Sequence, residues 1–192
     1  MPNIYFVSME RQALVTACLN GNAQAQKQLY DAFAAQMMGV CYRYTKSVED
    51  AEDILQEGFI KVFVHLGQFD SRGEIGAWIR RIMVNTALAS LKKNTVYSSD
   101  LLMKEEQLHL VSDDNPEITL NTKELIELIR QLPPGYQTIF NLYAIDGFSH
   151  SEIGKMMGIS EGTSRSQYMR ARMLLINWLT KQPGEHKTSS YA

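Results

Sequence analysis

The chain has 192 residues, of which 45% are hydrophobic and 21% charged, and its formal net charge is -2. This composition is that of a folded globular protein with one large or two small domains, and it excludes a disordered chain. No apolar run approaches the roughly 20 residues that span a bilayer, and the start, MPNIYFVSMERQ, lacks the basic region and apolar core of a secretory signal. We therefore expect a cytoplasmic protein without direct membrane insertion.

Cysteine and histidine give no sign of a metal or redox site. Cys18 and Cys41 are the two cysteines, and their spacing is not that of a metal or redox motif, so we expect both thiols to be buried in a reducing compartment. The four histidines are scattered along the chain: His65, His109, His150 and His186. No metal, cofactor or catalytic residue is predicted.

The first predicted helical block, residues 23–93, contains an acidic amphipathic helix in SVEDAEDILQEGFIKVFVHLGQF. Its apolar positions follow helical spacing and are expected to face the core: Ala51, Ile54, Leu55, Phe59, Val62, Phe63 and Leu66. The other side carries five acids: Glu49, Asp50, Glu52, Asp53 and Glu57. Ile60 and Val64 lie off the core stripe. Periodicity alone leaves two interpretations open, a solvated acidic face or a docking face for a basic partner with Ile60 as its apolar anchor.

A basic helix follows in FDSRGEIGAWIRRIMVNTALASLKKN, where Glu74 is the single acid between Arg72 and Lys93. Five basic residues fall in this segment: Arg72, Arg80, Arg81, Lys92 and Lys93. The small residues at 71, 73 and 76 predict a flexible loop at its entrance, and a mobile loop beside a basic helix suits melted or single-stranded nucleic acid. Trp78 is expected to pack in the core with Ile75, Ile79 and Ile82.

The chain changes character between residues 94 and 121, where six acids face the single lysine Lys104. This composition predicts a polar linker with a short helix near residues 101–110. Helical periodicity returns at residues 123–180, and the tail QPGEHKTSSYA is expected to fray. Because no segment shows sustained apolar alternation, the predicted fold is all-α, with two small helical domains joined by a flexible acidic linker.

The second helical block carries the pattern of a helix-turn-helix. Gly158 separates two helices at a position that favours positive φ, and Ser160 is a natural N-cap for the second helix. Four residues of that helix are expected to face outward: Arg165, Ser166, Met169 and Arg170. Such a basic face suits the DNA major groove, although a plain helical hairpin with solvated arginines would show the same spacing. Ser164 counts against the motif, because that position usually holds an apolar packing residue.

Together these features resemble a bacterial RNA polymerase sigma factor of the extracytoplasmic-function (ECF) group. The resemblance covers residues 23–179 and rests on DAEDILQEGFIKVF at 50–63, WIRRIMVN at 78–85, and LPPGYQTIFNLYAIDGFSHSEIGKMMGISEGTSRSQYMRAR at 132–172. It implies sigma region two at residues 1–93, a linker at 94–122, region four at 123–181 and a disordered tail at 182–192. The third folded domain of housekeeping sigma factors has no counterpart here.

The resemblance also implies roles for individual residues. Four would contact the clamp helices of core RNA polymerase: Asp53, Gln56, Glu57 and Ile60. Eight would capture a flipped base and the non-template strand of the minus-ten element: Gln68, Phe69, Asp70, Ser71, Arg81, Asn85, Lys92 and Lys93. Four would read the minus-thirty-five element: Arg165, Ser166, Met169 and Arg170. The family further implies promoter DNA and an anti-sigma factor as partners.

The predicted function is therefore that of a specificity subunit, without catalysis of its own, that directs polymerase to promoters and helps to melt them. A stand-alone operator-binding repressor or activator is a rival that leaves the acidic helix and the basic loop unexplained. An enzyme is disfavoured because no carboxylate pair, catalytic triad, phosphate loop or metal-ligand cluster is visible. A helical adaptor protein would have no reason for two separate basic faces.

Overall fold

The computed structural model describes residues 4–70, 73–93 and 122–181, with side chains from Gln12 onward and up to Thr180. Every regular element in these ranges is helical, which confirms the all-α prediction. In chain order the elements are α1 (Ile4–Leu19), α2 (Ala23–Tyr42), α3 (Val48–His65), a 3-10 turn (Leu66–Gln68), α4 (Ile75–Lys93), α5 (Thr122–Gln131), α6 (Pro134–Phe140), a π-helical turn (Asn141–Ile145), α7 (His150–Met157) and α8 (Glu161–Lys181). None of the helices in the described ranges combines the length and apolar character needed to cross a membrane.

The chain divides into two compact units, Met1–Thr95 and Val96–Ala192. Helices occupy both predicted blocks, and α5 begins one residue before the expected start. Helix α1 was not predicted, because its apolar residues do not fall on one stripe of the helix surface. The predicted linker, the short helix near residues 101–110 and the tail at 182–192 lie outside the described residues.

Local hydrogen bonding explains where the acidic helix α3 begins. Ser47 is its N-cap, and its Oγ accepts a hydrogen bond from the backbone N–H of Asp50 at 3.1 Å. Glu49 and Asp50 lie in the first turn, where carboxylates interact favourably with the positive end of the helix dipole. The sequence thus places a helix start directly after Ser47 and concentrates negative charge there.

The predicted core stripe of α3 is confirmed at six of its positions. The buried residues are Ala51, Ile54, Leu55, Phe59, Val62 and Leu66. Phe63 is half-buried, with its ring centroid 6.2 Å from that of Phe59. Ile60 and Val64 remain largely exposed, as expected for residues off the stripe. The apolar spacing therefore predicted which side of α3 faces the core.

Helices α3 and α4 approach each other closely where Gly58 faces Met83. Both residues are buried, and a Cβ added to Gly58 would collide with the Met83 side chain. Helix α2 completes this core, since the Tyr30 ring lies 4.6 Å from that of Phe59 and Phe33 lies over Gly76. The missing side chain at Gly58 thus allows the thioether of Met83 to fill the gap between the two helices.

Both cysteines are buried, as predicted, with Cys41 at 0% exposure and Cys18 at 4%. Burial raises the pKa of the Cys41 thiol to about 12 and shifts the pKa of the Cys18 thiol in the same direction. Because the thiolate is the reactive form, burial disfavours reactivity at both thiols.

The buried side of α4 includes the predicted residues Ile75 and Ile79, whereas Trp78 and Ile82 are half-buried. The indole of Trp78 packs against the ring of Phe69, with centroids 5.6 Å apart and planes at 51°. Trp78 therefore packs against the protein, but at the edge of the core, where the chain leaves the loop and enters α4.

The C-terminal unit has its own small core, to which α5, α6 and α8 contribute. Ile129, Leu132, Ala171 and Leu175 are buried in it. Half-buried aromatic residues pack around them: Tyr136, Phe140 and Trp178. The core thus supports the middle and C-terminal part of α8 and leaves its first turns to contacts with α7.

Helices α7 and α8 form the predicted helix-turn-helix. Ser149 and Glu152 make a reciprocal capping box that starts α7, and Gly158 ends it in the left-handed conformation with φ 72°. Ser160 caps α8, accepting a hydrogen bond from the Thr163 N–H at 3.0 Å. The positive φ at Gly158 and the cap at Ser160 were both expected from sequence and are confirmed.

Replacing Gly158 by alanine is expected to destabilise the C-terminal unit by about 1–2 kcal/mol, because a Cβ disfavours the left-handed conformation. Gly162→Ala is the matched control, since a Cβ there would lie 3.7 Å from its nearest neighbour. In a Trp78→Phe background Trp178 is the one remaining tryptophan of the two, so its fluorescence reports denaturation of this unit. Equal midpoints for the two alanine variants would contradict the prediction.

Candidate interaction surfaces

Helix α3 presents an exposed face that combines acids with an apolar residue. Asp53, Gln56, Glu57 and Ile60 are spaced so that they share this face. Asp53 and Gln56 are exposed, and Glu57 is half-buried. Ile60 is 64% exposed, and Val64 one turn later is 71% exposed. The structure therefore brings together the four residues assigned to the polymerase contact, around a protruding isoleucine.

Lys61, which no sequence pattern marks as a site residue, links this acidic face to α4. Its Nζ lies 2.7 Å from Glu57 Oε1 and donates a hydrogen bond to Thr86 Oγ1 at 3.3 Å. The hydrogen bond from Lys61 lowers the pKa of Glu57, and the charge of Lys93 adds to the effect. The i,i+4 spacing of Glu57 and Lys61 was visible in the sequence, whereas the contact with Thr86 depends on how α3 and α4 pack.

The exposed side of α4 is basic and polar. Arg81, Asn85, Lys92 and Lys93 are all exposed. Arg81, Asn85 and Lys92 recur at helical spacing and therefore lie along one side of the helix. This arrangement can track a chain of phosphates, with Asn85 able to donate and accept hydrogen bonds between the cations.

The segment before α4 makes a tight turn beside the aromatic pair. The exposed Gln68 ends the 3-10 turn, and its Nε2 lies 3.3 Å from His65 Nδ1. Phe69 is half-buried against Trp78, and the carbonyl of the exposed Asp70 accepts a hydrogen bond from the Gly73 N–H at 3.0 Å. Ser71 lies outside the described residues. Gln68, Phe69 and Asp70 are therefore placed next to the start of the basic helix.

The four residues assigned to minus-thirty-five recognition lie on one side of α8. Arg165, Ser166 and Met169 are exposed, and Arg170 is half-buried. Arg165 forms an ion pair with Glu161 at 2.5 Å, and the Ser166 hydroxyl donates to the Thr163 carbonyl at 3.0 Å. One side of the N-terminal half of this helix thus offers two cations and a hydroxyl, while Ser164 and Gln167 on its other side are buried.

A buried polar pair that the sequence analysis missed joins the two helices behind this face. His150 Nδ1 lies 2.9 Å from Ser164 Oγ, with Ser164 at 0% and His150 at 7% exposure. Burial lowers the pKa of His150, the positive charge of Arg165 lowers it further, and Glu161 opposes the shift. Ser164, which had counted against the motif, is therefore a partner in the contact between its helices.

In the described part of the chain, no three His, Cys, Asp or Glu side chains are grouped so that they could hold an ion.

Each of the two units matches a known protein family. Residues 29–96 match the family model described as Sigma-70 region 2, and residues 122–175 match the one described as Sigma-70, region 4. The ECF RNA polymerase sigma factor SigW of Bacillus subtilis is 31% identical over 166 residues, covering 81% of this chain and 89% of SigW. The ECF RNA polymerase sigma-E factor of Haemophilus influenzae is 30% identical over 177 residues, covering 86% of this chain and 93% of that protein.

A solved structure shares the fold. RpoE of Bartonella quintana, a sigma factor crystallised with the anti-sigma factor NepR, is 21% identical, with a TM-score of 0.51 over 82% of this chain and 98% of RpoE. The two matched regions, and relatives that align over most of their own length, identify the family. This chain belongs to the ECF family of RNA polymerase sigma factors, transcription initiation factors that bind DNA and direct promoter recognition.

Proposed function

We propose that the chain is a cytoplasmic specificity subunit, without catalysis of its own, that binds core RNA polymerase, recognises both promoter elements and helps to melt the DNA. Region two would occupy residues 1–93 and region four residues 123–181, with the linker at 94–122. One observation carries the proposal: a chain of net charge -2 separates its charges onto different helices, with an acidic face on α3 and basic faces on α4 and α8.

Core polymerase is proposed to bind the acidic face of α3. An exposed isoleucine surrounded by carboxylates matches the anatomy of an interface, in which an apolar anchor is desolvated and charges around it set orientation and association rate. Ile60 would supply the anchor, and Asp53, Gln56 and Glu57 would supply the polar contacts. Because Glu57 is already paired with Lys61, Asp53 would carry more of the attraction toward a basic partner.

The loop and the basic helix are proposed to hold the melted minus-ten element. Gln68, Phe69, Asp70 and Ser71 would form the base-capturing loop, beside the ring pair of Phe69 and Trp78. The phosphate backbone of the non-template strand would follow the exposed side of α4. Its contacts would be Arg81, Asn85, Lys92 and Lys93.

Helix α8 is proposed to read the minus-thirty-five element from the major groove. Arginine can donate two hydrogen bonds to guanine, and a hydroxyl can donate to or accept from several bases. An apolar side chain can contact the thymine methyl group. Arg165, Ser166, Met169 and Arg170 supply these three chemistries on one side of the helix.

An anti-sigma factor is proposed as a further partner. The similar sigma factor RpoE of Bartonella quintana was solved in complex with NepR. For this chain, such a partner would compete with polymerase for the exposed apolar and acidic face of α3.

A stand-alone operator-binding protein would behave differently from a sigma subunit in two assays. It would retard its duplex in a gel without polymerase, whereas a sigma subunit should bind duplex DNA poorly alone and co-purify with polymerase subunits from a bacterial lysate. Tight binding to one duplex by the free chain, together with absence of polymerase from the pull-down, would contradict the proposed function.

Reversing the charge of Asp53 and Glu57 together, to lysine, is expected to abolish co-purification with core polymerase, because a basic partner surface would then be repelled. Ile60→Ala should weaken binding without any change in charge. Asp31→Lys is the control, since Asp31 is exposed on α2 and pairs with Lys27. Circular dichroism should remain helical for all variants. Wild-type recovery of polymerase with the double variant would show that the face has been misassigned.

Arg170→Ala is expected to lower transcription from the preferred promoter roughly ten-fold, since a bidentate arginine–guanine contact contributes about 1–3 kcal/mol of discrimination. The preferred minus-thirty-five element is first selected by the reconstituted holoenzyme from a randomised library. The variant should also reduce the difference between the selected and a scrambled element, with polymerase binding unchanged. An equal loss on both templates would make Arg170 a phosphate contact and leave specificity to Arg165, Ser166 or Met169.

Glu161→Gln is expected to increase binding of the full chain to random-sequence duplex DNA, because it releases Arg165 from its ion pair. One additional phosphate contact should steepen the salt dependence of log K by about 0.9. Glu127→Gln makes the same charge change on α5, where Glu127 pairs with Arg130. If both variants shift the salt slope equally, overall charge and not the release of Arg165 explains the effect.

A further inference from the structure

Helices α7 and α8 meet over a polar contact that lies directly behind the proposed recognition face. His150 is the first residue of α7, and Ser164 lies in the first turn of α8. Their side chains are 2.9 Å apart, and Ser164 is fully buried. A buried polar group without a hydrogen-bond partner is costly, so each of these side chains stabilises the other where the helices touch.

Aromatic rings hold the imidazole of His150 in place. The ring of Tyr143, from the π-helical turn, stacks on it with centroids 4.1 Å apart and planes at 10°. The ring centroid of Tyr168 in α8 lies 5.8 Å from that of His150 and 4.6 Å from that of Tyr143. Because the imidazole plane is fixed by these neighbours, its Nδ1 is aimed at Ser164, and three elements converge on one residue.

The contact lies one residue from the DNA face. Ser164 immediately precedes Arg165 and is in the same turn as Ser166. We propose that His150 is a positioning residue for promoter recognition: its hydrogen bond to Ser164 holds the N-terminal half of α8 at the angle that lets Arg165 and its neighbours reach the bases. The inference rests on the minus-thirty-five role proposed for α8.

Burial and the nearby positive charge of Arg165 favour the neutral form of the His150 imidazole. Its pKa is lowered by burial and by Arg165, against the opposing charge of Glu161. The phenols of Tyr143 and Tyr168 also contact the ring of His150, and the same helix carries Glu152, whose carboxylate is engaged in the capping box with Ser149. Because the folded-state pKa lies below the unfolded one, the contribution to stability is present above the ordinary histidine pKa and is lost as pH falls through the folded-state pKa.

The first test compares two amides at position 150 and two β-branched residues at position 164. Asparagine places its terminal atoms near the position of Nδ1, whereas glutamine places them near Nε2, so His150→Asn should keep the contact and His150→Gln should lose it. Ser164→Thr and Ser164→Val add the same bulk but differ in the hydroxyl. This second pair keeps the test informative if the ring substitutions unfold the domain.

The readout is discrimination by the reconstituted holoenzyme between the selected minus-thirty-five duplex and its scrambled version, at pH 7.5. His150→Gln and Ser164→Val should reduce discrimination roughly ten-fold, the effect of losing about 1.4 kcal/mol, while the Asn and Thr variants stay close to wild type. Equal discrimination within each pair would overturn the proposal. If Arg165→Ala and Arg170→Ala also leave discrimination unchanged, the proposed role of α8 fails instead.

The second test is the pH profile. Discrimination by the wild-type holoenzyme should be constant above the ordinary histidine pKa and fall only as the pH is lowered below it. The His150→Asn holoenzyme, which has no titrating group at this position, should show a flat profile over the same range. A purely structural role would not separate the two profiles. Parallel profiles for wild type and His150→Asn would therefore overturn the assignment of His150 as the group that must stay neutral.

Discussion

The packing of α3 against α4 determines where both charged surfaces of the N-terminal unit lie. Gly58 and Met83 bring the helices together, so the acids of α3 and the bases of α4 are turned outward on neighbouring helices. Lys61 marks the boundary, because its ammonium group reaches Glu57 on its own helix and Thr86 on α4. A change in the spacing of these helices would move the proposed polymerase surface and the proposed strand-binding surface together.

In the C-terminal unit a polar contact positions the helix that carries the proposed DNA-binding face. Its apolar core at Ala171 and Leu175 supports the middle of α8, whereas the first turns of that helix meet α7 through Ser164 and His150. An apolar contact tolerates small shifts, but a hydrogen bond is directional and fixes both distance and angle. The part of α8 that would touch bases is therefore held by the more exacting kind of contact.

Features fixed by local rules could be predicted from sequence, and features fixed by packing could not. The core stripe of α3 follows from helical spacing, and the turn at Gly158 follows from the need for positive φ. The contact between His150 and Ser164 joins residues 14 apart, and that of Lys61 with Thr86 joins residues 25 apart. Sequence spacing also gives the direction of a side chain but not how much of it the neighbouring residues cover. Trp78 was therefore expected in the core, whereas the structure leaves it half-buried.

Two of the proposed partner surfaces, on α3 and α8, carry ions that are already paired within their own helix. Glu57 pairs with Lys61, and Glu161 with Arg165, each glutamate four residues before its cation in the favourable orientation. Exposed pairs of this kind contribute about 0–1 kcal/mol, so a partner with well-placed opposite charges displaces them at small cost. A partner whose charge is spread diffusely over its surface gains little from displacing these ion pairs. If these surfaces bind as proposed, internal pairing would let a chain of net charge -2 present both signs with little random binding to DNA, while the stereospecific contacts remain available.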